Sequence, residues 1–545
     1  MTKKKNPSPP GSVDPRNRMN DLDSRSWLKF QKSWFVWPAQ QAHAEVAADF
    51  ILFFTKQRNA EDQAACIGLI EENTGPLLPV LKKLGREAVI FSPTGKELLA
   101  APSDHTIERQ LDYALVEVCD LPGEPQHLQQ NIDSWRERLQ VLAKRLKPKA
   151  YLTIFTRNFD ANGQLLPWAW YLGLVLSRLL SIKDEKIGCR SASGKLNLIN
   201  QTGDLTHDCA NRNETPPGEG MQAGWRTGQE VIYCLNFRRE ENESENVLHE
   251  VLPLSNFFSL TPSTPPSSAP DRGAAANFHA QIKTFSRREQ ALPPSWFVAK
   301  PPPREKNVLL HPAKFPESLV TYFLREFSQP GERIFDPMAG TGSALMAALA
   351  AQRQAYGLEL NPEFHRIACG RVQKYLAETP PAAACKWQLA CGDAAAAESY
   401  LTLPDTFDYV LTSPPYWDML RMKGAETQQK RQQAGLLQFY SDDDRDLGNR
   451  SDYEEFLADL VKIYLRVAER LAPGRYMTII VKNIKKRGKI YPLAWHLALR
   501  LRESLILCHE QFWCQDDQSL APFGYRYAWV SNTFHHYCLH FRKPE

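Results

Sequence analysis

The sequence predicts an α/β protein made of two tandem copies of one unit, in which helices cover both faces of a mostly parallel sheet. Amphipathic helical segments alternate with short apolar strands, a pattern that is typical of parallel sheets. Blocks of sequence also recur in the same order in the two halves. Residues 143–158, AKRLKPKAYLTIFTRN, align without a gap on 468–483, AERLAPGRYMTIIVKN, and 8 of the 16 positions are identical.

Further blocks extend this repeat on both sides. They are LDYALVEV (111–118) with FDYVLTSP (407–414), PWAWYLGLVL (167–176) with PLAWHLALRL (492–501), and YCLNFR (233–238) with YCLHFR (537–542). Any two α/β segments share a helix–strand rhythm, but that rhythm does not require ungapped agreement over 34 residues at an offset of 325. The blocks therefore predict a duplication.

A stretch rich in Ser, Pro, Glu and Ala separates the two copies, and 545 residues are too many for a single core. The predicted divisions of the chain are a disordered basic tail at 1–24, the first copy at 25–240, a linker at 241–285 and the second copy at 286–545.

The composition excludes several classes of protein. The chain is 43% hydrophobic, and no apolar run is long enough to cross a bilayer, so no membrane partner is expected. The start lacks the apolar core of a secretory signal. The 11 cysteines are scattered singly, which argues against a disulfide framework or a zinc ribbon and favours a reducing cytoplasm without a bound metal. The net charge of +4 permits a nucleic-acid partner without requiring one.

The second copy contains a strand, a tight glycine loop, a helix and another strand. Gly340 and Gly342 allow a sharp turn and the close approach of a ligand where a Cβ would collide. Glu359 ends the next strand, 17 residues after Gly342, where a dinucleotide-binding unit has an acid that accepts hydrogen bonds from ribose hydroxyls. The sequence AGTGSA lacks the third glycine of GxGxxG, which favours a nucleoside without a pyrophosphate over NAD.

A third predicted strand end carries Asp393, in LACGDA (389–394). A carboxylate at this position is placed to accept a hydrogen bond from an adenine amino group. The same residue is equally typical of a helix N-cap.

The stretch LTSPPYWDM (411–419) follows a predicted buried strand. Pro415 cannot donate a ladder hydrogen bond and Pro414 fixes its own φ, so the strand ends in a stiff loop with Tyr416 at its tip. A Pro-Pro pair can also be a simple strand terminator beside packing aromatics. The first copy has EVCDLP in place of TSPPYW and lacks 29 residues that follow this loop in the second copy. The first copy is therefore predicted to keep the scaffold and to lack the site.

The second copy resembles the S-adenosylmethionine-dependent amino-group methyltransferases of DNA. Four ordered blocks carry the resemblance, namely HPAKFPESLVTYFLREF (311–327), FDPMAGTG (335–342), LELNPEF (358–364) and TSPPYW (412–417). It implies a Rossmann-like methyltransferase fold in two tandem copies, the second catalytic and the first degenerate. It also implies S-adenosylmethionine as the cofactor, bound by His311, Lys314, Phe315, Asp336, Pro337, Ala339, Gly340, Gly342, Glu359 and Asp393.

The reaction implied by the resemblance is site-specific methylation of the exocyclic amino group of a flipped base. The amino lone pair is delocalised into the ring, so the group needs acceptors that hold its N–H bonds in line with the methyl donor. Ser413 Oγ and the Pro414 carbonyl are the predicted acceptors, Pro415 stiffens the loop, and Tyr416 offers a face on which an extruded base can stack. Serine as the first motif residue favours N4 of cytosine in this family, and N6 of adenine remains the alternative. Cytosine C5 methylation fits poorly, because it needs a thiolate in a Pro-Cys loop and the chain has no Pro-Cys pair.

Basic residues near the catalytic loop are the predicted contacts to DNA phosphates, with a solvated basic loop as the alternative. They are Arg421, Lys423, Lys482, Lys485, Lys486, Arg487 and Lys489. Nothing of domain size follows the catalytic loop, so recognition is expected from the inserted loop, the N-terminal copy or a partner. The N-terminal copy is a candidate internal pseudo-dimer partner, and restriction or defence components are candidate partners. The rival functions are methylation of an RNA or protein amino group, and catalytically silent nucleic-acid binding.

Overall fold

A computed structural model describes residues 13, 17–59, 61–92, 97–99, 110–120, 127–161, 163–191, 194–206, 225–227, 231–242, 294–300, 315–379, 385–417, 443–486, 488–516 and 533–545. Most of the predicted linker lies outside the described residues. So do five of the predicted site residues, His311, Lys314, Arg421, Lys423 and Arg487.

The N-terminal half folds around a sheet of eight described strands, in the order β1-β9-β13-β6-β5-β2-β3-β4, beside a small sheet of β12, β7 and β8. Its helices α1 to α5 lie at Ser24–Lys29, His43–Phe54, Thr74–Leu84, Leu128–Arg145 and Trp168–Ser177. Its strands β1 to β13 lie at Trp34–Pro38, Cys66–Ile70, Glu87–Phe91, Glu97–Leu99, Leu111–Val118, Leu146–Thr156, Phe159–Ala161, Gln164–Leu166, Ser181–Ser191, Leu198–Ile199, Leu205–Thr206, Trp225–Thr227 and Val231–Arg238.

The C-terminal half folds around a second sheet, in the order β11-β10-β14-β22-β23-β19-β18-β15-β16-β17, beside a hairpin of β20 and β21. Its helices α6 to α10 lie at Glu317–Phe327, Ser343–Ala350, Pro362–Glu378, Tyr453–Glu469 and Leu493–Leu501. Its strands β14 to β23 lie at Trp296–Ala299, Arg333–Asp336, Gln354–Glu359, Trp387–Cys391, Phe407–Thr412, Leu471–Val481, Ile484–Lys486, Lys489–Tyr491, Ile506–Cys514 and His535–Arg542.

The two sheets share one strand order. From β1 and β14 at one end to β4 and β17 at the other, each of eight strands has a counterpart at the same place. Among these counterparts, β13 and β23 run antiparallel to both of their neighbours, and the other pairs are parallel except that β4 is antiparallel to β3. The run β17-β16-β15-β18-β19 has the order of a doubly wound sheet, which confirms the predicted Rossmann-like α/β fold class. A tandem duplication would produce the shared order, and the duplication itself stays a prediction.

Local sequence sets the ends of the helices next to the second sheet. Asn361 accepts hydrogen bonds from the N–H groups of Glu363 and Phe364 at the start of α8, and Pro362 occupies the first turn, where its missing N–H leaves no partner unsatisfied. Asp452 caps α9 in the same way. These caps fix where the chain leaves the strand ends and enters the helices.

The two halves pack together through reciprocal contacts. Asn158 Nδ2 donates to Glu510 over 2.8 Å, and Asn483 Nδ2 donates to Glu185 over 2.9 Å. Asn483 and Glu510 each lie 325 residues after their counterparts. Each half therefore offers the same pair of groups to the other, as the two subunits do in a two-fold symmetric dimer.

The centre of this interface is buried. The sulfur atoms of Cys189 and Cys514, which are also 325 residues apart, lie 3.8 Å from each other, as counterparts beside a two-fold axis must. One hydrophobic core runs through both halves and includes Trp170 and Trp495. Strand β10 of the N-terminal half pairs with β14 and so extends the second sheet. The halves are thus joined by a common core.

The predicted disordered tail at 1–24 is too long. Asn17 and Asn20 are buried, and Asn20 Nδ2 donates to the carbonyl of Phe53 over 2.6 Å. Asp23 caps α1. Packed structure therefore begins by residue 17. In the described parts of the chain, no helix is both long and apolar enough to span a membrane.

Candidate active site

The order of the second sheet places a crevice between β15 and β18. From β15 the chain continues to β16 and β17 on one side, and β18 then pairs with the other side of β15. In doubly wound sheets, ligands bind outside the carboxyl ends of the strands where the winding reverses in this way. The glycine loop follows β15 and the TSPPYW motif ends β18 and follows it, so both border this crevice.

The glycine loop has a backbone that only glycine adopts without strain. Gly340 has a φ of +55° and Gly342 a φ of +81°. A Cβ on Gly342 would also lie 3.0 Å from the Cβ of Ala368 in α8. The N–H of Ala339 donates to the carbonyl of Leu358 over 2.8 Å, which holds the loop over the end of β16. The two glycines are therefore required by turn geometry and by packing.

Glu359 links this loop to the next strand. Its Oε2 accepts a hydrogen bond from the N–H of Gly340 over 2.7 Å, and its Oε1 accepts one from the N–H of Asn361 over 2.9 Å. Burial raises the pKa of Glu359 to about 7, and the nearby charge of Asp336 adds to the rise. Each carboxylate oxygen has a second lone pair, so Glu359 can also accept hydrogen bonds from a ligand.

Asp336 joins the glycine-loop side of the crevice to the TSPPYW side. It is 1% exposed, and its Oδ1 accepts hydrogen bonds from Thr412 Oγ1 over 2.8 Å and from the N–H of Met338 over 3.0 Å. Burial raises its pKa to about 7, although both hydrogen bonds oppose the rise. The sequence reasoning missed Thr412, whose only signal was its place at the end of β18.

The remaining predicted cofactor residues lie in the same region. Pro337 and Ala339 are buried within the glycine loop, and Phe315 packs against the cluster that contains Ala339. Asp393 is half-buried after β17, and its Oδ1 accepts a hydrogen bond from the N–H of Ala395 over 2.8 Å. Asp393 thus caps a turn, close to the alternative role predicted for it. Cofactor contact by these residues stays a prediction.

The four predicted catalytic residues, Ser413, Pro414, Pro415 and Tyr416, form the loop that leaves β18. Tyr416 is 8% exposed and Trp417 is 4% exposed. Burial raises the pKa of Tyr416 well above its ordinary value, and a hydrogen bond with the Ser413 side chain opposes the rise. The loop is thus largely packed against the domain.

Three of the predicted phosphate-binding lysines point towards the protein. Lys482 Nζ lies 5.3 Å from the ring centroid of Tyr416, and Lys486 Nζ lies 3.8 Å from that of Trp417. Lys485 Nζ donates to the carbonyl of Lys183 in the N-terminal half over 3.0 Å. Burial lowers the pKa of Lys482 and of Lys485 to about 8. Phosphate binding by these three stays a prediction, and the structure supplies other partners for them.

In the N-terminal half, Glu117 and Cys119 occupy the place that Ser413 and Pro415 have in the other half, at an offset of 296. Among the described residues, their ligand atoms and that of His43 lie within 4.8 Å of one another, close enough for a metal ion. However, Arg190 Nη1 lies 3.2 Å from His43 Nε2, and the other ring nitrogen contacts the Glu117 carboxylate. An arginine donates only, so the ring proton sits on Nδ1 and is donated to Glu117. This arrangement favours a hydrogen-bonded network over a metal site.

A family model described as DNA methylase matches residues 16–369, which is more than half of the chain. The chain belongs to the DNA methylase family. The match begins in the N-terminal half of the chain and ends in α8, before the TSPPYW motif.

Two curated relatives of this DNA methylase match shorter stretches. The orphan methyltransferase M.BamHII of Bacillus amyloliquefaciens is 33% identical over 72 residues, which are 13% of this chain and 27% of the relative. The type II methyltransferase M.Cfr9I of Citrobacter freundii is 36% identical over 63 residues, 12% of this chain and 21% of the relative. The chain spans about a quarter of the length of the curated relatives it matches.

Among solved structures, TrmN from Thermus thermophilus is 13% identical, with 44% of this chain and 51% of that chain covered and a TM-score of 0.27. The doubly wound fold is identified by the strand order β17-β16-β15-β18-β19.

Proposed function

We propose that this methylase transfers a methyl group from S-adenosylmethionine to the exocyclic amino group of a flipped DNA base. The observation that carries the proposal is the hydrogen bond between Thr412 and Asp336, which joins the strand before the catalytic loop to the strand before the glycine loop over 2.8 Å. A methyl donor held by one loop would therefore lie beside an amino group held by the other.

The residues present fit the cofactor. Gly340 and Gly342 leave room where side chains would block a nucleoside. Glu359 keeps lone pairs for ribose hydroxyls, and the carboxylates of Glu359 and Asp336 favour a cation in the crevice. When bound, S-adenosylmethionine supplies an electrophilic methyl group on a positively charged sulfur.

The catalytic loop would orient the amino group. Ser413 Oγ and the Pro414 carbonyl would accept hydrogen bonds from its two N–H groups, which aims the nitrogen lone pair at the methyl group. Pro415 limits the movement of the loop. Tyr416 provides an aromatic surface on which a base taken out of the duplex can stack, and this stacking offsets part of the few kcal/mol that extrusion costs. In the transfer the nitrogen would gain the methyl group as the bond between the methyl carbon and sulfur breaks, which would leave a neutral thioether, and the nitrogen would release one proton to solvent.

Cytosine N4 is the favoured acceptor, because serine is the first residue of the motif, and adenine N6 is the alternative. The N-terminal half is proposed to act as an internal pseudo-dimer partner. The reciprocal contacts of Asn158 with Glu510 and of Asn483 with Glu185 support this role.

The test uses tritiated S-adenosylmethionine and unmethylated DNA. We expect the wild-type protein to label DNA, and Ser413→Ala and Tyr416→Ala to lose at least about a hundredfold in rate while they bind the cofactor normally. Equal labelling by the variants would contradict the roles given to the loop. Labelling of RNA or protein in place of DNA would show that the substrate is not DNA. Absence of cofactor binding would exclude a methyltransferase activity.

A further inference from the structure

We infer that Glu185 of the N-terminal half is a positioning residue for the catalytic loop, acting through Asn483 and Tyr537 on the surroundings of Tyr416. The inference rests on the proposed function, because it takes residues 413–416 as the loop that holds the reacting base.

Glu185 is a buried carboxylate in β9 that binds groups of the other half. Its Oε2 accepts a hydrogen bond from Asn483 Nδ2 over 2.9 Å, and its Oε1 accepts one from the Tyr537 hydroxyl. His535 Nε2 lies 3.5 Å from Oε2. One side chain of the N-terminal half thus holds the segment that follows β19 and the start of β23.

The two segments held by Glu185 also carry the two residues that flank Tyr416. Lys482 directly precedes Asn483, and its Nζ lies 5.3 Å from the Tyr416 ring centroid. His536 directly precedes Tyr537, and its ring centroid lies 6.3 Å from that of Tyr416. Successive side chains of a strand point to opposite faces, so Tyr537 faces the N-terminal half while His536 faces the loop.

This arrangement gives Glu185 a physical route to the loop. The Lys482 side chain lies over the face of the Tyr416 ring, so a movement of Lys482 changes the packing around that ring. Glu185→Gln replaces one of the two acceptor oxygens with an NH2 group, so the Asn483 amide or the Tyr537 hydroxyl loses its acceptor in a buried place and its segment shifts towards a new partner. A shift of about 1 Å in a group that positions a substrate can reduce a rate by about a hundredfold.

The pseudo-symmetric half supplies a matched control. Glu510 accepts hydrogen bonds from Asn158 over 2.8 Å and from the Tyr233 hydroxyl over 2.5 Å, the counterparts of the Glu185 contacts. Those segments border the end of β5, where the chain reads EVCDLP and has no TSPPYW motif. If the carboxylates serve only the interface, their loss should have the same consequences.

The experiment compares full-length wild type, Glu185→Gln and Glu510→Gln near pH 8.5. At this pH Glu510, whose pKa burial raises to about 8, is mostly ionised. The measurements are Tm, the affinity for S-adenosylmethionine, kcat for transfer to unmethylated DNA, and hydrogen–deuterium exchange of a peptide spanning 411–417. The exchange measurement needs no substrate, so it tests the coupling even if DNA is not methylated.

We expect both variants to lower Tm, and only Glu185→Gln to lower kcat by about tenfold or more and to increase exchange in the catalytic loop. Cofactor affinity should change less than about twofold in either, because Asp336 and Glu359 lie on other strands. Equal effects of the two substitutions on the exchange of 411–417 would overturn the inference. A wild-type protein that methylates no DNA would overturn the proposed function alone.

A second pair covers the case in which a Gln variant does not fold. Tyr537→Phe and Tyr233→Phe each remove one hydroxyl that has matching contacts in the two halves. The Tyr537 hydroxyl donates to Glu185 and accepts from Trp495 over 2.8 Å. The Tyr233 hydroxyl donates to Glu510 and accepts from Trp170 over 3.0 Å. We expect increased exchange of 411–417 in Tyr537→Phe only. The same exchange in both would contradict the coupling.

Discussion

Thr412 Oγ1 donates a hydrogen bond to Asp336 Oδ1 over 2.8 Å, and this contact spans the crevice between β15 and β18. Both residues are buried, and each ends its strand immediately before a predicted functional loop. The contact therefore fixes the distance between the site predicted for the methyl donor and the site predicted for the acceptor.

Thr412→Val removes this hydrogen bond and keeps the shape of the side chain. We expect the affinity for S-adenosylmethionine to fall about threefold to tenfold, because a buried hydrogen bond contributes about 1 kcal/mol. Calorimetric titration measures the change. Thr156→Val is the control, since Thr156 Oγ1 donates to the Val118 carbonyl over 2.9 Å in the other half. It should lower stability and leave affinity unchanged, and equal affinity losses would argue against the link.

Cofactor binding is expected to release protons near pH 7. Burial raises the pKa of Asp336 and of Glu359 from 3.8 and 4.5 to about 7, so both are partly protonated in the free protein. A bound cation and ribose hydroxyl donors favour the ionised forms, so binding should weaken as the pH falls below 7. Titration calorimetry in two buffers of different ionisation enthalpy measures the released protons. Proton uptake on binding would contradict this, and Glu359→Gln should reduce the release.

The same pKa values give a pH dependence of stability without cofactor. Between the ordinary values near 4 and about 7, the folded protein keeps protons on Asp336 and Glu359 that the unfolded chain has lost. The contribution of these two groups to the free energy of unfolding therefore falls as the pH rises through this window and is lost above it. Denaturation in urea should show a smaller fall in an Asp336→Asn variant, and an unchanged dependence would contradict the assignment.

Gly342→Ala should abolish cofactor binding and destabilise the fold. The φ of +81° costs about 1 kcal/mol or more for alanine, and the added Cβ would lie 3.0 Å from that of Ala368. Gly331→Ala separates these effects, because Gly331 has a φ of +85° but open space around its Cα. It should lose stability through φ alone and bind the cofactor normally. Comparable Tm values for the two variants would show that the contact with Ala368 is unimportant.

Lys485 and Lys489 should differ in their effect on DNA binding. Lys485 is held by the Lys183 carbonyl, whereas Lys489 is a half-exposed residue of the β20–β21 hairpin. A phosphate contact contributes about 0.9 to the slope of log K against log salt. We expect Lys489→Gln to reduce the slope by about this amount and Lys485→Gln to leave it unchanged. The reverse result would restore Lys485 as a phosphate contact.

The fold and the geometry of the glycine loop were predictable because their signals are local. A strand, a glycine loop, a helix and a second strand that ends in an acid follow one another within a short stretch of sequence. This order was enough to place Gly340 and Gly342 in the loop and Glu359 at the end of the second strand. The repeated blocks are consistent with the shared strand order, since the blocks at 143–158 and 468–483 contain β6 and β19, which hold the same place in the two sheets.

The sequence could not predict whether the side chains of the lysines after β19 face solvent or the protein. A basic run such as KNIKKRGK reads the same whether its side chains face solvent or aromatic rings, and the contacts of Lys482 and Lys486 depend on where β18 and β19 bring Tyr416 and Trp417. The pairing of Glu185 with Asn483 was hidden for a similar reason. Neither residue has a sequence signal until the two halves are packed together.

Single-molecule sequencing of host DNA tests the central claim most directly. The protein is expressed in a strain that lacks other methylases, alongside Ser413→Ala. The account predicts a recurrent sequence motif that carries N4-methylcytosine, present with the wild type and absent with the variant. N6-methyladenine in such a motif would support DNA amino-group methylation and would replace cytosine with adenine as the target base. Unmodified DNA from cells that contain folded, cofactor-binding protein would contradict DNA methylation by this chain.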